Sequence, residues 1–258
     1  MPDLASPIVS GVPGPAVPVG HVEPCPRRVR ARLGGRVVLD TTDARYLWEH
    51  PWYPRWTIPV ADVDPAVLRE DTTTRPDAHG TVRDVALRAE DGDRPAGRRF
   101  VDGALAGTVA LAWDALDAWF EEDEQVHVHP RSPYVRVDAL RSRRRVRVEL
   151  DGVVLAESDA PVLLFETGLP TRAYLDPTAV DPSALEPSDT VTACPYKGVT
   201  SRYWSVRTSV GRYDDLAWTY DQPAPAVARI AGLVAFYDER VDVVVDGVAQ
   251  PRPRTHLV

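Results

Sequence analysis

Arg145-Val146-Arg147-Val148-Glu149-Leu150-Asp151-Gly152-Val153-Val154-Leu155 reads as a β-hairpin. Val146, Val148 and Leu150 alternate with charged residues, the period of two that presents one face of a strand to a core. Asp151-Gly152 supplies the positive backbone angles that a two-residue turn requires.

The same pattern stands 117 positions earlier. Arg28-Val29-Arg30 matches Arg145-Val146-Arg147, Leu33 matches Leu150, Gly35 matches Gly152, and Leu47-Trp48-Glu49 matches Leu164-Phe165-Glu166. Arg55 matches Arg172, and Val63-Asp64-Pro65 matches Val180-Asp181-Pro182. A gapless register of this length makes the chain two copies of one domain. We read residues 1–21 as a disordered Pro/Gly-rich tail, 22–140 as a first, degenerate repeat and 141–258 as the second repeat.

Further strand-like stretches lie at Arg172–Leu175, Tyr203–Val206 and Val241–Val245. Val227, Ile230, Val234 and Tyr237 fall on one helical face, which predicts a helix over 225–237 with a counterpart over 113–122. The fold class expected is mainly β (α+β): two small homologous domains, each a twisted sheet or partly closed barrel with one helix.

Composition bounds the function. The 258 residues are 44% hydrophobic, ordinary for globular domains. No apolar run approaches the roughly 18 residues of a membrane span, and the N-terminal stretch lacks signal-peptide character. A cytoplasmic protein with no membrane partner is expected. The net charge of -8 argues against nucleic acid. Cys25 and Cys194 are two isolated cysteines, so free thiols are the default.

Twenty-nine of the 30 basic residues are arginine, and the single lysine, Lys197, stands in Cys194-Pro195-Tyr196-Lys197-Gly198. A chain that uses arginine wherever the two are interchangeable has kept a compact amine here, whose pKa responds to burial as a guanidinium's does not. An ammonium near a thiol favours the nucleophilic thiolate. With one residue more of offset, His79 falls opposite Lys197 and Pro76 opposite Cys194, so only the second repeat carries the motif. A structural alternative buries the cysteine as a small hydrophobe and pairs Lys197 with Glu166 or Asp215. Glu166 and Arg172 recur as Glu49 and Arg55, and are expected to form a partly buried ion pair.

At these residues the chain resembles domain-of-unknown-function family 427, sometimes labelled nucleotidyltransferase-like. The resemblance rests on Leu164-Phe165-Glu166-Thr167-Gly168-Leu169-Pro170-Thr171-Arg172, on the 194–198 motif followed by Tyr203-Trp204, on Leu216-Ala217-Trp218-x-Tyr220 and on Val234-Ala235-Phe236-Tyr237. The join, His129-Pro130-Arg131-Ser132-Pro133-Tyr134, is similar to that of actinobacterial tandem members. The resemblance implies a compact, mainly β domain and brings no established activity. The nucleotidyltransferase label would need a phosphate loop and paired carboxylates for magnesium, which Asp62-x-Asp64 and Asp214-Asp215 match only generically.

The candidate catalytic set is Cys194, Lys197 and Glu166: thiol nucleophile, amine or base, and proton handler. The candidate ligand-binding set is Arg172 as anion clamp with Tyr174, Tyr196, Tyr203, Trp204 and Trp218 as aromatic walls. His127-x-His129 would share a strand face, yet no third ligand is evident, so no metal is assigned. The sequence names no cofactor and leaves the oligomeric state open. The expected function is binding or transforming a small molecule at the Cys/Lys site of the second repeat. The alternatives are a non-catalytic binding module and a structural or interaction module, so enzymatic activity stays undecided at this point.

Overall fold

The computed structural model describes residues 17–253 and 255. Residues 1–16 of the expected tail lie outside the described residues; its remainder forms a turn in which the Gly20 N–H bonds the Trp48 carbonyl at 2.7 Å. The chain divides between Ser132 and Pro133 into two compact units.

The first unit contains β1 (Val22–Pro24), β2 (Val29–Leu33), β3 (Arg36–Thr41), β4 (Arg45–Leu47), β5 (Arg55–Pro59), β6 (Leu68–Asp77), β7 (Gly80–Ala89), β8 (Gly92–Phe100), β9 (Thr108–Leu111), β10 (Ala118–Glu121) and β11 (Glu124–Val126). The second contains β12 (Val137–Arg141), β13 (Val146–Leu150), β14 (Val153–Ser158), β15 (Val162–Glu166), β16 (Arg172–Leu175), β17 (Leu185–Ser188), β18 (Ala193–Cys194), β19 (Gly198–Val199), β20 (Arg202–Arg207), β21 (Arg212–Thr219), β22 (Val234–Phe236), β23 (Asp242–Val245) and β24 (Val248–Ala249).

The duplication read from sequence is visible strand by strand. A seven-stranded antiparallel sheet runs β1-β4-β5-β9-β8-β7-β6 in the first unit and β12-β15-β16-β22-β21-β20-β17 in the second. A four-stranded sheet runs β11-β10-β2-β3 and β14-β13-β23-β24 respectively. Strand β12 straddles the boundary read at 140/141 and belongs with the second unit by its pairing to β15. The opening hairpin forms as read, with Asp151 and Gly152 at φ 53° and 76°. Val146, Val148 and Leu150 are buried while Arg147 and Glu149 are not.

In the second unit the two sheets face each other across Val146, Val148, Leu155, Leu175, Val206 and Phe236. Full burial of such apolar side chains is worth about 1.5–3 kcal/mol each. The opposite face of the seven-stranded sheet is also buried, beneath a separate cluster that includes Leu164, Tyr174, Tyr203, Trp218, Val227 and Ile230.

The fold is mainly β, and the two predicted helices are absent. Over 225–237 the chain makes a 3₁₀ stretch, Pro225–Ile230, followed by β22. Over 113–122 it makes a single 3₁₀ turn, Trp113–Ala115, followed by β10. An apolar residue at i and i+3 (Val227, Ile230) satisfies a 3₁₀ turn as well as an α-helix. Gly232, at φ 72°, then ends the helical path before Val234 enters the sheet.

Candidate functional site

The site is built where the second unit departs from the first. In the first unit β6 and β7 join through a tight turn that pairs Asp77 with Gly80. In the second the equivalent connection is remodelled into a separate small hairpin, β18–β19, pairing Cys194 with Gly198 around Pro195, Tyr196 and Lys197. Gly198 sits at φ 98°, a left-handed conformation that a β-carbon disfavours. The Thr192 N–H donates to Thr200 Oγ1 at 2.9 Å, and the Ala224 N–H to the Lys197 carbonyl at 2.9 Å. These bonds fix the hairpin against the segment that enters the 3₁₀ stretch.

From this turn the Lys197 ammonium donates a short charge-assisted bond to the Glu166 carboxylate at the end of β15. Both side chains are largely buried, at 13% and 7% exposure. Burial works against the lysine charge; the Cys194 sulfur, then Glu166, Tyr174 and Tyr220, outweigh it and hold the Lys197 pKa well above the ordinary lysine range. The amine is therefore a cation at neutral pH. The ion pair with Glu166, rather than Asp215, is one of the two alternatives the sequence offered. Cys194 is half-buried with a free thiol.

The sheet beneath carries an aromatic row. Register places Tyr174 opposite Ala235, Ala235 opposite Trp218 and Trp218 opposite Tyr203, so these side chains share one face across four strands. Tyr203 and Trp218 stack at 6.1 Å, and Trp218 packs on Tyr237 at 4.4 Å. The Tyr203 hydroxyl bonds both Thr192 Oγ1 and the Tyr237 hydroxyl at 3.0 Å. The Tyr174 side chain is fully buried, and its hydroxyl proton has no acceptor, while the Trp218 indole N–H approaches its oxygen. Burial pushes its pKa up to about 12, with Lys197, the Trp218 indole and Arg172 pulling the other way.

Three expectations are corrected. Arg172 does not pair with Glu166: its guanidinium binds Glu239 bidentately at 2.9 and 3.0 Å, Asp238 at 3.1 Å and the Phe236 carbonyl at 2.9 Å. It also lies 5.5 Å from the Trp218 ring centroid. With its donors committed to two carboxylates it does not serve as an exposed anion clamp. Burial opposes its charge, but Asp238 and then Glu239 raise its pKa; burial likewise pushes the Asp238 carboxyl up, while at Glu239 the Arg172 hydrogen bonds outweigh burial and draw it down. Trp204 is the neighbour of Tyr203 on β20 and so points to the opposite face, against the inter-sheet core. Cys25, four residues after the stretch 1–21 read as a disordered tail, is 2% exposed inside the first unit's core, and burial pushes its thiol pKa up.

Tyr196 lies half-buried at the hairpin turn. His127 and His129 do not lie on a strand; β11 ends at Val126 and Val128 takes φ 70°. His129 stacks on Tyr53 at 4.2 Å, which in turn stacks on His50 at 4.5 Å. Among the described residues no group of three or more His, Cys, Asp or Glu is placed to hold a metal ion. Asp215, at φ 54°, accepts from Ser188 at 2.5 Å and Thr190 at 2.7 Å, and so anchors the approach to the hairpin.

The family model described as domain of unknown function (DUF427) matches residues 21–98 and 138–247. The chain belongs to this family. The two matched segments fit the two units, so each unit is a DUF427 repeat. No curated protein matches the chain. Within the second DUF427 repeat, Tyr220 and Tyr237, which the sequence offers as further aromatics able to line a pocket, lie beside the candidate site residues, and the Asp238-Glu239 pair next to them was not assigned from sequence. An acidic pair directly after the aromatic strand end Val234–Tyr237, with an arginine on the neighbouring strand, was the available signal.

Proposed function

We propose that the second repeat binds a small molecule at the face formed by Cys194, Lys197, Tyr174 and Trp218, and that the Cys194 thiol is the reactive group there. The observation that carries this reading is a lysine held as a buried cation by Glu166, beside a half-buried free thiol and a buried hydroxyl whose proton has no acceptor. Buried polar groups usually find partners, and what sets the Tyr174 hydroxyl apart from the other buried side-chain atoms without one is its place beside Lys197 and Cys194. Lys197 acts as a fixed charge rather than a base, since its partners keep it protonated. The net charge of -8 favours a small-molecule partner over nucleic acid. Two free cysteines fit a reducing, cytoplasmic setting, and no described helix is long and apolar enough to cross a membrane.

The test is a thermal-shift screen of a metabolite library on the full chain, repeated with Cys194→Ser and Lys197→Arg, with ligand masses followed by mass spectrometry. The expected result is a compound that stabilises the parent and loses its effect in both variants. A library that stabilises nothing, or hits unaffected by both substitutions, would sink the proposal. A hit that is bound but chemically unchanged favours a binding module over an enzyme.

A further inference from the structure

The charges around the site restrict what it can hold. Lys197 is already neutralised by Glu166, and Arg172 by Asp238 and Glu239, so the local groups sum to no excess of positive charge. A bare anion would meet three carboxylates against two cations. A neutral acceptor oxygen meets no such cost, and two donors stand ready for it: the Tyr174 hydroxyl, which has no acceptor of its own, and the Lys197 ammonium, which has three N–H groups. Cys194 stands at the base of the turn that carries Lys197, bounded by Pro195 and Gly198, and its sulfur interacts electrostatically with the same ammonium.

We infer that the ligand is a neutral carbonyl compound, an aldehyde or ketone, whose oxygen accepts from Tyr174 and Lys197 while Cys194 adds to its carbonyl carbon. This rests on the small-molecule reading above. In the addition the sulfur–carbon bond forms as the carbonyl π bond breaks, and the thiol proton ends on the former carbonyl oxygen. The product is a hemithioacetal or hemithioketal, and no oxidant or reductant is consumed. Donors aimed at a developing oxyanion from a water-poor environment stabilise it far more than they would in water.

The Tyr174 hydroxyl is then a recognition group kept at the expense of stability, because a buried hydroxyl proton without an acceptor destabilises the unliganded fold. Tyr174→Phe separates the two roles. We expect the variant to melt about 3–6 °C higher than the parent and to bind an aldehyde at least about 10-fold more weakly, the loss of one good hydrogen bond. Benzaldehyde is the probe, with benzyl alcohol as the control that lacks the carbonyl carbon. Adduct formation is read as saturable loss of the conjugated carbonyl absorbance, and Cys194→Ala should abolish it. Equal response to aldehyde and alcohol, or undiminished adduct in Tyr174→Phe, would overturn the assignment. A screened ligand without a carbonyl that still depends on Cys194 and Lys197 would also overturn it while leaving the binding site itself intact. If no compound of any class shifts the parent, both the site and the assignment fall.

Discussion

The two repeats place different chemistry on the same row of the same sheet. In the first unit the row across β7, β8 and β9 reads Asp84, Arg98, Ala110; in the second, across β20, β21 and β22, it reads Tyr203, Trp218, Ala235. Both units keep the glutamate at the end of the second hydrogen-bonded strand, and in both it needs a cation. The first unit finds two on other strands of the same sheet, β5 and β8: Arg55 lies 2.8 Å from Glu49, and Arg98 pairs with both Glu49 and, at 2.9 Å, Asp77. The second finds one, Lys197, delivered from a hairpin tip. That change of supplier clears the sheet face for aromatics and releases Arg172 to Asp238 and Glu239. A buried carboxylate fixes the need for a counter-charge, not where it comes from.

The comparison breaks first at the glutamates. Glu166→Gln should cost about 3–5 kcal/mol, because it leaves a buried lysine charge uncompensated. Glu49→Gln, at a carboxylate 31% exposed, should cost about 1 kcal/mol. Urea unfolding of both variants checks this, and equal losses would dissolve the contrast. The double variant Glu166→Gln/Lys197→Met should recover more than half of the single-variant loss, since it removes the stranded charge as well.

The cysteines come next. Cys194 is half-buried and Cys25 lies in a core, so native-state alkylation should label Cys194 at least about 100-fold faster, because Cys25 must await opening of its unit. Peptide mass spectrometry reads the ratio; comparable rates would contradict the burial of Cys25.

Alkali should separate the units more gently. The folded pKa of Lys197 is raised, so its stabilisation is complete below the ordinary lysine value of about 10.4 and is lost as pH climbs above it. The first unit has no lysine in the equivalent place. Between about pH 10.5 and 12 the second unit should therefore lose stability that the Glu166→Gln/Lys197→Met variant no longer has to lose. Tryptophan fluorescence melts would show it, and parallel pH profiles for parent and variant would refute it. The smallest effect belongs to Tyr203→Phe, which removes the bridge between Thr192 and Tyr237 and should cost about 1 kcal/mol. Differential scanning calorimetry suffices, and an unchanged melt would mean that the hydroxyl chain contributes nothing.

Much of this was legible in the sequence, for reasons specific to each element. The hairpin at 146–155 announces itself through strict alternation and Asp-Gly, and the duplication through its constant offset. The lone lysine narrowed its partner to Glu166 or Asp215, and the fold selects Glu166. Arg172 was misassigned because its partners lie 67 residues on, at a strand end whose position depends on the whole sheet order. Trp204 was misassigned because adjacency in sequence puts it beside Tyr203 but on the other face. The helices were misread because apolar spacing over a single turn does not distinguish a 3₁₀ step into a strand from the start of an α-helix. The burial of Cys25 between Pro24 and Pro26 was not legible, because it depends on its N–H closing onto the Ala44 carbonyl at 2.8 Å, which draws the thiol into the core.

The solitary lysine also makes the chain its own reporter. A protease that cuts only after lysine has one target bond, between Lys197 and Gly198, and that bond sits in a turn whose lysine side chain is locked inward by Glu166. Cleavage there would require the turn to lift off the sheet, so the rate of a single cut measures how often this corner of the molecule opens. A bound ligand that holds the turn down would slow that cut, giving a footprint of occupancy without any label.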